Sequence, residues 1–514
     1  MKVIDKNNLL IILLLLIISI FSILPLFQHG FFVTDDGEWM IIRFSAFFQA
    51  VKDGQLPVRF LQQLNFGYGY PVPTFLYPGF MYFGTLIHIF KIGFVDTIKV
   101  VLGLSLVGAA IFVYFWLEKV FKDRIGAVVG AAASFYVPYH LYDVYTRGSV
   151  GEVFAFTWVA FILWMIERKN IFLISVGIFL LIIAHNTMAL LFLPLLFIYA
   201  LLRKVLQLKQ LIFCFILGVL LSSFFIIPAV FELPFTQFSQ TTIANPVNYF
   251  VKYSLIGHGV SFIFLVSILL FFFKRKQAGE NPLVILFLII TFLAAFLSTS
   301  WSTFIWKIIP SSFIQFPFRF LSYLIITVAF LAAFIVSKMK DKFKKIALTA
   351  AILILLLISA YPYGSPKDFT DKGEGFYFTN EATTTVRDEY LPVWAKQKHT
   401  QRAANKVEII KGEGVVQDIV YNNKKIVFTL NAEDNVRVKI NTIYWPGWKV
   451  FVDNNEVSVS SNNQEGIMEF GAGKGIHQIS VRFSETPLRI FSDIVSLLTF
   501  IILVFIVVRK KTKL

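Results

Sequence analysis

The sequence predicts an α-helical polytopic membrane protein of about twelve spans with an external β-sandwich domain toward its C-terminal end. Three observations predict this class. Of the 514 residues, 57% are hydrophobic and 15% charged, far more apolar surface than a soluble fold can hide. Apolar runs long enough to cross a bilayer recur along the chain. From 362 to 486 the composition turns polar, and alternating runs such as KIVFTLN, NVRVKIN and IHQISVRF read as strands.

The first apolar run, 8 to 27, follows Lys2 and Lys6 and has no small-residue cleavage site behind it, so it is expected to be a retained span rather than a signal peptide. Further spans are expected near 97–117, 125–141, 152–167, 171–185, 187–202, 211–230, 257–273, 282–298, 320–337, 346–361 and 488–508. The formal charge of +16 would suggest a nucleic-acid partner in a soluble chain. Here it sorts by side of the membrane, so no nucleic acid is expected as a partner. Twenty-two basic residues fall in EKVFKDR, ERKN, RKVLQLK, KRK, KMKDKFKK and the two termini, against nine in the longer opposite loops. The positive-inside rule makes the first set cytoplasmic, with both termini. It also excludes 75–93 as a thirteenth span, because counting it would invert the loops downstream. That stretch is expected to be an external juxtamembrane helix.

The expected organisation is a transmembrane domain over 1–361 whose first external loop covers 28–96, an external β-rich domain over 362–486, and a final span with a basic tail over 487–514. The Asn pairs 422/423 and 454/455 fall between strand-like runs, where residues tolerant of positive φ make tight hairpins. The single cysteine, Cys214, lies in an apolar run, which excludes a disulfide framework and a cysteine-based metal site.

A charge at the bilayer centre costs about 2.5–3.5 kcal/mol on insertion scales, and almost none of this chain's ionisable groups is placed there. The sequence of the spans offers no midplane carboxylate, and unbroken helices are expected there, unlike the broken ones of ion-coupled transporters. Ionisable groups collect instead at the expected external ends of spans, which describes a site at the outer membrane surface. In TDDGEWMIIRF (34–44), Asp35 and Asp36 could share a cation or raise one pKa for general-base work. They suit a capped helix N-terminus equally. Arg43 follows Asp36 by seven residues, two helical turns on, and could bracket an anionic group with it. GQLPVRFLQQLNFGYGYPVPTFLYPGF (54–80) offers aromatics, Tyr68 and Tyr70 among them, either to stack on sugars or to anchor the membrane interface. VPYHLYDVYTRGSVGE (137–152) supplies Arg147, suited to a phosphate, and Glu152, which could join Asp36; the alternative is an ordinary turn pairing Asp143 with Arg147. His185 and Asn186 in AHNTMALL suit a phosphate contact or a satisfied turn. Arg319 in FPFRF reads first as a snorkelling interface residue.

The acidic motif after the first span, the Gly/Pro/aromatic loop ending in YPGFMYFGTLIHIF, the basic turn EKVFKDR and the external Arg and Glu together resemble the GT-C class of membrane glycosyltransferases, which includes the catalytic subunit of oligosaccharyltransferase. PVRF, FGYGYP, FLYP, PYHLYDVYTRG with its following Glu, AHN, FPFRF, EYLP and YWPGWKVFVD also look like the bacterial membrane proteins labelled 6-pyruvoyl-tetrahydropterin synthase-related, and the YfhO-like group. That label carries no pterin chemistry here, because the chain has no His cluster for a zinc-dependent synthase. The resemblance implies a GT-C-like fold in a bacterial-type plasma membrane and transfer of a sugar from a polyprenyl-phosphate-linked donor to an external glycan, lipid or protein acceptor. Asp36 would be the catalytic base or a metal-proximal carboxylate, Asp35 its neighbour and Glu152 the second acid. Arg147 or Arg43 would face the donor phosphate, and His185, Asn186, Arg319, Tyr68 and Tyr70 would line the substrate. A divalent cation, Mg or Mn, held by Asp36 and Glu152 is the cofactor this pattern allows. The second loop carries one Glu where the oligosaccharyltransferase pattern has clustered acids. A non-catalytic protein for envelope polysaccharide or lipid assembly or translocation is the alternative; it would tolerate acid-to-amide changes.

Overall fold

The computed structural model describes residues 6–240, 245–273, 282–308 and 314–511. Of the expected cytoplasmic charges, Lys2, the KRK turn at 274–276 and Lys513 lie outside the described residues.

Seven described helices are long and apolar enough to cross a membrane: Asn8–Phe27, Phe94–Phe121, Val150–Glu167, Asn186–Arg203, Pro317–Ser337, Lys342–Tyr363 and Pro487–Ile506. Two bent pairs bring the number to nine if each is one span: Leu208–Leu221 with Ser223–Phe235, bent by 67°, and Pro282–Leu297 with Ser300–Trp306, bent by 88°. The remaining three of the twelve expected spans are shorter helices. Ile171–Ala184 has 14 residues and His258–Phe273 has 16. The run 125–141 is divided at Pro138, which starts a new helix and holds Val137 extended (φ −64°, ψ 123°), as a residue before proline prefers. In 75–93 the helix is only Gly79–His88, ten residues or about 15 Å.

The chain forms two compact units that do not follow sequence order. The first comprises Met1–Glu38, Val95–Val219 and Thr242–Asp371, the second Trp39–Phe94, Leu220–Thr241 and Lys372–Leu514.

The helices used below are α1 (Lys6–Ile23), α2 (Gly37–Lys52, mostly in the second unit), α3 (Gly79–His88, of the second unit), α4 (Phe94–Phe121), α5 (Arg124–Tyr136), α6 (Pro138–Tyr142), α7 (Val150–Glu167), α8 (Ile171–Ala184) and α9 (Asn186–Arg203). Small residues set the closest approaches. A Cβ on Gly130 of α5 would come within 2.6 Å of the Ala329 carbonyl, and one on Gly126 within 2.9 Å of that of Ala333. The helix Ser322–Ser337 can therefore lie directly on α5, the way small-residue faces pack where lipid gives no hydrophobic drive. One polar chain inside the bundle links three of its helices. The Trp116 indole donates to the Tyr199 hydroxyl (2.7 Å), which donates to Glu167, and Arg203 holds both Glu167 oxygens at 2.7 and 2.6 Å. Outside the helices, strand β1 (Phe31–Phe32) pairs antiparallel with β2 (Phe369–Thr370), joining the segment after α1 to the far end of the unit.

The second unit carries two antiparallel sheets. The larger runs in the order β4 (Gly414–Tyr421), β5 (Lys425–Ala432), β10 (Gly475–Phe483), β7 (Trp448–Val452), β8 (Asn455–Val457). The smaller is β3 (Val407–Lys411), β6 (Val436–Ile443), β9 (Ile467–Ala472). Alternate residues Ile426, Phe428 and Leu430 of β5 and Val436, Val438 and Ile440 of β6 are buried, the period-2 pattern legible in the sequence. The hairpins form by different means at the two Asn pairs. Asp453 and Asn454 take positive φ (49° and 68°) between β7 and β8. Between β4 and β5, Asn422 instead accepts from the Lys424 and Lys425 amides at 2.9 and 3.0 Å. The Gly/Pro/aromatic loop is tied down on these strands: Asp53 accepts from the Asn423 amide (3.0 Å) and side chain (2.6 Å), and the Ile443 amide donates to the Tyr68 carbonyl (2.8 Å). In the same unit Arg489 of the last helix makes a two-pronged pair with Glu232 of the helix Ser223–Glu232.

Candidate functional site

The site grows from one break in helical structure. Tyr139, Asp143 and Arg147 follow at intervals of four, which aligns them on one helical face. The helix widens to a single π-type turn over Asp143–Arg147 and stops at Gly148, whose φ of +67° reverses the chain before α7 begins at Val150. Glu152, in the first turn of α7, is thereby returned to the same face.

All four side chains are buried. Arg147 Nη1 donates to Asp143 Oδ1 (2.5 Å) and Glu152 Oε2 (2.8 Å). The Tyr139 hydroxyl donates to Glu152 Oε2 at 3.2 Å. Arg319 Nε donates to Glu152 Oε1 at 2.9 Å, and its Nη1 donates to Gln315 Oε1 at 2.6 Å. Phe318 lies under the Arg147 guanidinium and Phe316 under that of Arg319, with centroids 4.9 and 5.1 Å away. The FPFRF run therefore does the opposite of snorkelling: Arg319 is 7% exposed and turned inward onto a carboxylate. His185 joins from the α8–α9 junction. Its Nδ1 accepts from the Met188 amide (3.3 Å), capping α9, while Nε2 stands 3.7 Å from Glu152 Oε1. Two arginines and two carboxylates balance in charge, which is what a buried cluster requires.

The acidic motif docks on this cluster through its backbone. The Asp35 amide donates to the Thr146 carbonyl (3.0 Å) and the Asp36 amide to that of Arg147 (2.8 Å). Asp35 is exposed and Asp36 half-buried. Desolvation, then the neighbouring Asp36 charge, pushes the Asp35 carboxyl above its ordinary value, against an opposing pull from Arg147. The Gly37 amide donates to Thr34 Oγ1 at 3.0 Å, so the helix-cap alternative holds as well, with Thr34 as the capping side chain. Gly148 allows the approach: an added Cβ would sit 2.3 Å from Thr34 Oγ1 and 2.7 Å from the Gly37 amide. Gly148→Ala is expected to lose at least about 1–2 kcal/mol from the left-handed backbone alone, with the overlap adding to it. Thermal unfolding in detergent measures that loss, and an unchanged midpoint would mean the contact is not formed.

The other expected site residues lie elsewhere. Asn186 is the exposed first residue of α9. Arg43, 2% exposed in the second unit, donates to the Thr384 carbonyl (2.5 Å) and hydroxyl (3.2 Å). Tyr70 is fully buried there, its hydroxyl accepting from the Tyr390 amide and paired with Thr385, both at 2.9 Å. Tyr68 stacks on His399 at 3.6 Å. Tyr139 and Gln315 were missed by the sequence reading, and Asp143 entered only as a turn partner. The four-residue spacing of Tyr139, Asp143 and Arg147 was the signal available.

A metal shared by Asp36 and Glu152 does not fit this geometry. Both Glu152 oxygens are taken by guanidinium and phenol donors, and a cation would have to displace two arginines. Among the described residues no group of three or more His, Cys, Asp or Glu side chains is placed to hold an ion.

No known sequence family and no curated protein matches the chain. Solved structures of an archaeal oligosaccharyltransferase do. The apo form from Archaeoglobus fulgidus is similar at a TM-score of 0.48 and 13% identity, over 71% of this chain and 57% of that one. The form tethered to an acceptor peptide containing the NVT sequon gives 0.44 and 13%, over 76% and 60%. The AglB enzyme of the same organism, in complex with an inhibitory peptide and a dolichol-phosphate, gives 0.43 and 12%, over 73% and 56%. The chain thus spans no more than three-fifths of these proteins. None of these three structures is of the synthase-related or YfhO-like groups.

Proposed function

We propose that the protein is a GT-C-type membrane glycosyltransferase that moves a sugar from a polyprenyl-phosphate-linked donor to a glycan, lipid or protein acceptor on the external face. The observation that carries this reading is the double engagement of Arg147. Its carbonyl holds the Asp35–Asp36 segment, and its guanidinium holds the Asp143–Glu152 pair. A partly exposed acidic pair is thereby fixed beside two buried, carboxylate-held arginines, the combination that proton abstraction next to a leaving phosphate needs.

In this reaction Asp36 takes the proton of the acceptor hydroxyl. The oxygen attacks the anomeric carbon, the bond from that carbon to the phosphate oxygen breaks, and the lipid phosphate leaves with the electron pair. Asp35, whose carboxyl holds its proton more readily than an ordinary one, neighbours the base. Arg147 and Arg319 supply positive potential, and Glu152 with Asp143 holds them in place as a positioning residue pair. No step is assigned to a metal.

Asp36→Asn is expected to reduce transfer by about a hundredfold or more, the usual contribution of a general base. The assay is sugar transfer from a polyprenyl-phosphate-linked donor by protein whose unfolding midpoint is unchanged. Wild-type turnover by that variant would overturn Asp36 as the base, whereas no transfer by the wild-type protein either would favour the non-catalytic assembly reading, in which the ion-pair network only holds the helices together.

A further inference from the structure

The second unit contains a polar cavity of about 260 Å³ where the aromatic loop meets the sheets. Among its walls are Tyr68, Arg402, Asn405, Lys406, Tyr421 and Asn441. Nothing in the transferase reading uses it. Lys406 Nζ donates to the carbonyls of Gly67 (2.8 Å) and Asn441 (2.7 Å) and stands 5.3 Å from the centre of the Tyr421 ring. Two neutral carbonyls and a ring face are weak compensation for an ammonium. Desolvation, then the nearby Arg402 charge, pushes its pKa well down. Arg402 is ion-paired with Glu381 at 2.6 Å but half-exposed, with guanidinium donors to spare. Asn441 is 2% exposed. Its amide nitrogen donates to the Asn405 carbonyl and Glu408, while its Oδ1, buried, has no donor.

The chemistry missing from this cavity defines its ligand. An anion would stabilise Lys406 and Arg402 together, a hydroxyl donor would satisfy Asn441 Oδ1, and the ring of Tyr421, a residue 43% exposed, offers a face for C–H groups to stack on. A pyranose bearing a carboxylate has all three, and the volume admits a single ring. We propose that this pocket binds one acidic sugar residue of a glycan, with Lys406 and Arg402 on the carboxylate, Asn441 on a ring hydroxyl and Tyr421 on the ring face. The pocket lies wholly within the second unit and the Arg147 cluster wholly within the first, so binding and transfer can fail separately.

The test is titration of the full-length protein in detergent with a glucuronate-containing oligosaccharide, its neutral glucose counterpart and inorganic phosphate, read by ligand-observed NMR. The expected result is a preference of about tenfold or more for the acidic over the neutral oligosaccharide, and little response to phosphate. Arg402→Gln, a change at an exposed side chain, should remove most of the preference, and Tyr421→Ala should weaken both oligosaccharides. Equal binding of acidic and neutral sugars would overturn the proposal. So would phosphate binding as tight as the acidic sugar, which would make this a simple anion site, or no binding by protein with a wild-type unfolding midpoint.

Discussion

Glu152→Gln is expected to destabilise the protein by about 3–5 kcal/mol, the range for removing one partner of a buried ion pair, and to abolish sugar transfer. The side chain keeps its shape, so the loss is electrostatic. Glu152 accepts from Arg319 on one oxygen and from Arg147 and Tyr139 on the other. An amide must turn its NH2 group toward one of these donors, and the cluster is left with an uncompensated positive charge. Unfolding midpoints of wild type and variant in the same detergent measure the stability part. The functional part is separated by the pair Glu152→Gln with Arg319→Gln, which restores charge balance. Recovered stability without recovered transfer is the expected outcome. Recovery of both would mean that Glu152 serves the fold alone.

Arg489→Met should cost a comparable 3–5 kcal/mol in the second unit, about as much as a buried pair loses when one charge is removed. Arg489 donates from Nε and Nη2 to the two Glu232 oxygens at 2.7 and 2.8 Å, a fork-to-fork pair with side chains 0% and 3% exposed. Methionine fills much of the volume but strands the Glu232 carboxylate. Converting Glu232 to Leu in the same protein should recover most of the loss, since an apolar pair of similar volume is often neutral or better. Thermal unfolding of the single and double variants decides it. If the single variant keeps the wild-type midpoint, the pair contributes nothing measurable.

What could be read from the sequence was whatever depends on local period. Helical runs, the alternating strands of the second unit and the acidic motif after the first span all show in a window of ten to twenty residues. Span boundaries were less legible, because Pro138 and the bend after Leu221 cut apolar runs that hydropathy alone joins. The site was half legible. Arg147 and Glu152 stood out by charge in an apolar chain, but Arg319 lies 167 residues beyond Glu152, and a separation of that size leaves no local trace. Snorkelling was the cheaper reading of a lone arginine beside a span, and it failed because a buried carboxylate was waiting inside. Tyr70 shows the converse. An aromatic in a Gly/Pro loop resembles a ligand platform, yet both sides of its hydroxyl are used within the unit.

The pairing of β1 with β2 sets a timetable for synthesis. Phe31 and Phe32 leave the ribosome some 340 residues before Thr370 and Phe369, which complete their strand. At about 5–20 residues per second, the segment leading to Asp35 and Asp36 would wait roughly 20–70 s with one strand edge open. During that interval the acidic pair depends on the earlier-made turn at Thr146–Arg147 for its placement, so nascent chains halted between residues 150 and 365 should carry Asp35 and Asp36 in position but accessible to protease on the β1 side.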